Sequence, residues 1–182
     1  MEYKIIVAGF GGHRVLFAGK VIAHAAADMG LEVSWLPSYG PEMRGGTANC
    51  RIVISDKPVC SPAVSRADAL IAMNMPSLMR FKDVTDGVIV TDSRFARFCE
   101  ADSRIIGIST ELCGGGAEHD GLVNMVMTGA LCAVSGVVPA AAVRGAIMSM
   151  TGADAQRRDL AAGEYGMGAV GLCGGAGWGG QL

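Results

Sequence analysis

Three stretches of this chain place chemistry-bearing residues at spacings that matter. The first is Gly9-Phe10-Gly11-Gly12-His13-Arg14, which follows the apolar run Lys4–Ala8 and precedes a helical pattern. Glycines in such a turn let backbone approach a phosphate, and the helix that follows offers its positive end. Here the pattern runs Gly9-x-Gly11-x-x-Arg14, so Arg14 stands where a third glycine would permit close helix–strand packing. The acid that would hold a ribose is also missing: Leu36 leads into Pro37-Ser38-Tyr39, and Glu32 lies at the wrong end of the second strand. These departures argue against bound NAD or FAD and for a tight turn in a Rossmann-like sheet.

The second stretch is Ser38-Tyr39-Gly40-Pro41-Glu42-Met43-Arg44-Gly45-Gly46. It follows a strand, where open α/β sheets place their ligand crevice. An aromatic, a carboxylate and a guanidinium sit between rigid Pro41 and flexible Gly45-Gly46. Glu42 and Arg44 can pair with each other, or Arg44 can serve a subunit contact or a phosphate. The third stretch, Met73-Asn74-Met75-Pro76-Ser77-Leu78, puts Asn74 at the exit of a buried strand, where a turn or helix-cap role is the plain reading.

No nucleophilic triad can be assembled. His13, His24 and His119 are scattered, with His24 on a solvated helix face and His119 beside Glu118 and Asp120 after Cys113-Gly114-Gly115-Gly116. The cysteines at 50, 60, 99, 113, 132 and 173 include no C-x-x-C pair, so neither a zinc site nor an iron–sulfur motif is written here. No Walker loop and no H-E-x-x-H occur. The pattern is that of a binding or assembly domain with reduced thiols.

The elements that must position these residues follow from periodicity. Lys4–Ala8 reads as a buried first strand. Val15, Ala18, Gly19, Ile22, Ala26 and Met29 then form an apolar stripe, with Lys20, His24 and Asp28 on a polar face and Gly30 as a stop. Strands are expected over Leu31–Leu36, Ala48–Ser55, Ala69–Met73, Val88–Thr91 and Arg104–Ile108. Pro37 to Gly46 reads as a loop, and Asp56-Lys57-Pro58 as a turn to a return strand over Val59–Ser61. Pro76 opens a short helix ending near Phe81. Further helices are expected over Leu122–Val134, Pro139–Met150 and Asp154 to about Tyr165. This alternation predicts an α/β fold, a three-layer Rossmann-like domain with a largely parallel sheet over residues 1–167. Residues 168–182 are expected to form a glycine-rich tail.

Composition narrows the classes. Fifteen basic against 17 acidic residues, and no Lys/Arg stripe, exclude a nucleic-acid footprint. With 51% apolar and 18% charged residues, wholesale disorder is excluded. The 27 glycines, 11 methionines and a mean hydropathy of +0.38 fit a tightly packed core or a surface covered by other subunits. Leu122–Val143 carries no charge, but Gly136-Val137-Val138-Pro139 breaks it into two core helices rather than a membrane span. With no cleavage-site pattern after Met1, a soluble, cytoplasmic protein is expected.

Several segments, in order, carry a resemblance: Gly9-Phe10-Gly11-Gly12 with Val15–Lys20, Ser38–Cys50 (SYGPEMRGGTANC), Ile54-Ser55-Asp56 with Ser61-Pro62, Asn74-x-Pro76-Ser77, and Asn124–Met127 with Gly129. Over roughly the first 130 residues the chain resembles the gamma (C) subunit of 2-oxoacid:ferredoxin oxidoreductases, especially the 2-oxoglutarate type. The resemblance implies a subunit inactive alone. In the complex, a 2-oxoacid and coenzyme A become an acyl-CoA and CO2 as ferredoxin is reduced. It implies alpha and beta partner subunits that bind thiamine diphosphate, and a ferredoxin-like delta subunit, with iron–sulfur clusters outside this chain. It also implies that the chain lies near coenzyme A.

Residues and resemblance together nominate Gly9, Gly11, Gly12 and Arg44 for cofactor contact. They nominate Tyr39, Glu42, Arg44, Gly45, Gly46 and Asn74 for the subunit interface, and no catalytic or metal-ligating residue. The family pattern reads G-x-G-G-Q-G-V, so His13-Arg14 replaces Gln-Gly, and a φ above zero there would strain Arg14. Two other readings are an indolepyruvate-type subunit and a free-standing nucleotide-binding module.

Overall fold

The computed structural model describes residues 1–39, 47–99, 101–111 and 117–173. Six strands form one sheet: β1 (Glu2–Phe10), β2 (Glu32–Tyr39), β3 (Thr47–Ser55), β4 (Ala67–Ala72), β5 (Thr85–Asp92) and β6 (Ile105–Ile108). Their order across the sheet is β2-β3-β1-β4-β5-β6. β1, β4, β5 and β6 pair in parallel, while β3 lies antiparallel to both β1 and β2. Among these six, only β3 runs against the rest.

The expected three-layer arrangement is present. Alternate residues of β1 face opposite sides, Ile5 and Val7 one way and Ile6 and Ala8 the other, and all four are buried. One side is covered by α1 (Val15–Asp28), α4 (Ala117–Ser135), α5 (Ala140–Met150) and α6 (Ala153–Cys173). The other is covered by α2 (Met75–Phe81), through Leu78 and Phe81, and by α3 (Ser93–Ala96) through Phe95. Each fully buried Ile or Val adds about 1.5–3 kcal/mol, which is why the strands read as apolar runs rather than alternating ones.

Three sequence expectations need correction. Val59–Ser61 is not a strand, and the antiparallel hairpin is instead β2–β3, with β3 inside the sheet. β2 continues through Pro37 to Tyr39, where a loop was expected; β2 is an edge strand, the place in a sheet that tolerates a residue without an N–H. Residues 168–173, expected in the glycine tail, are helical: α6 runs unbroken to Cys173, with Ala169 buried and Val170 packed on the core.

The cause lies in how α4 and α6 cross. A Cβ on Gly129 would run into the carbonyl oxygen of Gly163, and one on Gly166 into that of Val126. Helix separation is set by the side chains at the contact, so these glycines let the two backbones touch. That packing outweighs the roughly 0.5–1 kcal/mol that each glycine costs in a helix interior. Among the described residues, no helix is long and apolar enough to cross a membrane.

Candidate functional site

The carboxyl ends of β1, β4, β5 and β6 share one edge of the sheet. After β1 the chain builds β2 and β3 on one flank, then crosses to β4, β5 and β6 on the other. Such a switch point opens a crevice at the carboxyl edge. The glycine turn and Asn74 lie at this edge, and the strands that flank residues 40–46 end there.

The glycine turn comes first. β1 ends at Phe10, residues Gly11–His13 make one 3-10 turn, and Arg14 caps α1. Arg14 has φ 50° and ψ 35°, the left-handed conformation that the family's glycine would take without strain. Its side chain turns inward. Nη1 and Nη2 donate to the two carboxylate oxygens of Asp159 at 2.9 and 3.0 Å, and Nη1 also donates to the carbonyl of Gly121 at 3.1 Å. The guanidinium lies 4.3 Å from the centre of the Phe17 ring. Asp159, on α6, is only 1% exposed. Arg14 therefore ties the turn to both α4 and α6. On the outside, Phe10 is 37% exposed and meets the His13 ring edge-on at 5.4 Å.

Asn74 follows β4. It is 3% exposed, and its Oδ1 accepts from the N–H of Ser77 at 2.8 Å, capping α2 as the plain reading had it. Among the described residues its amide nitrogen has no partner, and neither does the hydroxyl of buried Ser77. Two further buried asparagines share this state: Asn49 through its carbonyl oxygen, and Asn124 through both amide atoms. An unmade hydrogen bond in such a place costs about 1–3 kcal/mol, so each marks a position where a further group could complete the structure.

The Ser38–Gly46 stretch is anchored here too. In the sheet register Tyr39 lies level with Ala48, Ala48 with Gly9, and Thr47 with Phe10. The strands flanking residues 40–46 thus end beside the glycine turn. Glu42, Arg44, Gly45 and Gly46 themselves lie outside the described residues.

Sequence reading missed Asp92, which ends β5. It is buried and accepts from the backbone N–H and guanidinium of Arg94 and from the Thr110 hydroxyl. Burial alone would raise its pKa; the bonds from Arg94 and Thr110 outweigh that and hold it below the ordinary aspartate value. Its position before Ser93-Arg94 was a helix-cap pattern that could have found it. Asp159 and Asn124 carry no such local mark.

Among the described residues the arrangement supplies hydrogen bonding and shape. Burial pushes the thiols of Cys50 and Cys132 up to about 12, which keeps them protonated and poor nucleophiles. His24 pairs with Asp28 on the outer face of α1, away from the crevice. Among the described residues, no three His, Cys, Asp or Glu side chains gather as a metal site.

The family described as pyruvate ferredoxin/flavodoxin oxidoreductase matches residues 4–169. The chain is 32% identical over 174 residues to the 2-oxoglutarate synthase subunit KorC of Methanothermobacter marburgensis, covering 89% of this chain and 93% of that one. It is 48% identical over 109 residues to the ketoisovalerate oxidoreductase subunit VorA of Methanothermobacter thermautotrophicus, covering 59% of this chain. The match spans only 23% of that relative's length. In fold it is similar to the gamma subunit of a keto/oxoacid ferredoxin oxidoreductase from Geobacter sulfurreducens, with a TM-score of 0.77 at 24% identity and 95% and 98% coverage of the two chains. It is similar also to the 2-oxoglutarate:ferredoxin oxidoreductase of Magnetococcus marinus, solved with 2-oxoglutarate, coenzyme A and succinyl-CoA bound. There the TM-score is 0.80 at 22% identity, covering 96% of this chain and 32% of that one.

Proposed function

We propose that this chain, which belongs to the pyruvate ferredoxin/flavodoxin oxidoreductase family, is the gamma-type subunit of a 2-oxoacid:ferredoxin oxidoreductase. The observation that carries the reading is the match to the 2-oxoglutarate synthase subunit over nearly the whole of both chains. In the assembled enzyme a 2-oxoacid loses CO2, the acyl group passes to coenzyme A, and the electron pair released goes to ferredoxin.

Thiamine diphosphate and the iron–sulfur clusters belong to the alpha, beta and ferredoxin-like delta partners. Among the described residues no group of three Cys, His, Asp or Glu side chains could hold a cluster, and Cys50 and Cys132 are sealed in the core. This chain's work is to present its carboxyl edge to the partners. Asn74 offers a free amide N–H to a partner carbonyl, while Tyr39, Glu42, Gly45 and Gly46 supply the adjoining contact. Arg44 supplies the charge for a partner carboxylate or a coenzyme A phosphate.

The substrate we favour is 2-oxoglutarate. The higher identity to the ketoisovalerate relative, over a shorter stretch, supports a branched-chain 2-oxoacid as the second reading. The test is to purify the complex through a tag on this chain and measure viologen reduction with coenzyme A and either 2-oxoacid. Turnover by the isolated chain, with thiamine diphosphate added, would overturn the proposal.

A further inference from the structure

The glycine turn is where a phosphate would be expected in a Rossmann-like sheet, and its residues do not fit one. A Cβ on Gly9 would meet the Cβ of Met73 and Cγ2 of Val15 at 2.9 Å, and Nδ1 of His13 at 3.2 Å. The first glycine is therefore enclosed by the protein's own side chains, while Gly12 faces open space. The next ordinary attraction for an anion would be a cation, and the turn carries one in Arg14. That guanidinium is already engaged: both of its terminal nitrogens bond Asp159, which is nearly inaccessible to solvent.

We propose that this turn is neutralised from inside, Asp159 being the resident anion of Arg14, so that it takes no phosphate from a nucleotide or a coenzyme. Three observations converge on this. Arg14 holds a backbone conformation that costs an L-residue about 1–2 kcal/mol, so something specific must hold it there. The bond to Asp159 is bidentate, the geometry by which guanidinium best recognises carboxylate or phosphate, so one acceptor excludes the other. The same guanidinium also bonds the Gly121 carbonyl and covers Phe17, which leaves little freedom to swing outward. The turn then acts as a joint among β1, α1, α4 and α6. Coenzyme A contact, if the assembly has it at this edge, falls to other residues. The inference concerns the turn alone and stands or falls separately from the subunit role.

The experiment uses pyrophosphate and ADP as probes on the purified chain, with two readouts. In the wild type, the amide resonances of Gly9, Gly11 and Gly12 should stay unmoved by either probe into the millimolar range. Saturable movement of those amides would overturn the proposal without any variant. In Asp159→Asn the carboxylate is lost and the guanidinium is released. Calorimetric affinity for pyrophosphate should then rise by at least about tenfold, since a freed guanidinium gains a charge-assisted pair. A folded Asp159→Asn protein that binds pyrophosphate no better than the wild type would equally overturn it. Should that variant not fold, the amide readout on the wild type decides.

Discussion

Two glycine-rich regions of this molecule, the turn after β1 and helix α6, invite opposite readings, and in both a glycine lets protein touch protein. The turn Gly9–Gly12 looks like a ligand cradle, and the glycines from Gly168 onward look like a loose tail, of which residues 168–173 are helical. At particular positions in each, glycine is a means for protein to touch protein. At Gly9 the space is taken by Met73, Val15 and His13; at Gly129 and Gly166 it is taken by the backbone of the facing helix. The regions differ in what secures them. The helices meet backbone to backbone, whereas the turn carries an ion pair, buried on the Asp159 side, that compensates a strained residue. Backbone contact fails when atoms are added, and an ion pair fails when one partner is removed.

The largest effect should therefore come from adding bulk between the helices. Gly166→Val forces α4 and α6 apart and should cost about 3 kcal/mol or more, at or beyond the usual range for overpacking. Chemical denaturation would read this as a lower midpoint. A loss under about 1 kcal/mol would mean that the crossing is looser than described.

Next comes the ion pair. Arg14→Gly relieves about 1 kcal/mol of backbone strain but leaves the Asp159 carboxylate buried without a partner, at a cost of about 3–5 kcal/mol. The net expectation is a loss of about 2–4 kcal/mol, the difference of those two figures. The double variant Arg14→Gly, Asp159→Leu should recover most of it. Stabilisation by Arg14→Gly alone would mean that the strain outweighs the pair.

A smaller effect tests Asp92. Its carboxyl is held below the ordinary aspartate pKa of about 3.9, so its ionised form is favoured by folding. The stability it adds is fully present above that ordinary value and is lost as pH falls through the lower, folded one. Asp92→Asn should flatten acid unfolding below about pH 4 relative to the wild type. Equal acid profiles would contradict the assignment.

The smallest effect, and of opposite sign, belongs to Gly168. It is exposed in α6 and nothing lies near its missing Cβ, so Gly168→Ala should stabilise by about 0.5–1 kcal/mol. No gain would indicate that the helix stops short of it. Set beside Gly166→Val, it separates glycines kept for contact from glycines merely tolerated.

These cases also explain what the sequence made legible. The sheet strands were readable because residues such as Ile5, Ile52 and Ile71 are buried on their own faces, leaving unbroken apolar runs. α1 was readable because Gly30, at φ 79°, ends it in the usual way. The end of α6 was not, because helix propensity counts glycine as a cost and only the distant α4 backbone reverses that. The extension of β2 through Pro37 was hidden likewise, since its edge position appears only in the assembled sheet. For the site, the oddity of Arg14 was visible as a departure from the family pattern, but its partner Asp159 lies 145 residues away with no local mark. Asn74 was visible at a strand exit; its unpaired amide was not.

The most direct test of the subunit role is purification of this chain from cells under native conditions, followed by identification of what co-elutes and an assay of both fractions. The account predicts a thiamine diphosphate-binding chain and a cluster-bearing chain in the same peak, viologen reduction that requires both a 2-oxoacid and coenzyme A, and none from this chain alone. A chain that elutes without such partners, or that turns over the 2-oxoacid by itself, would contradict it.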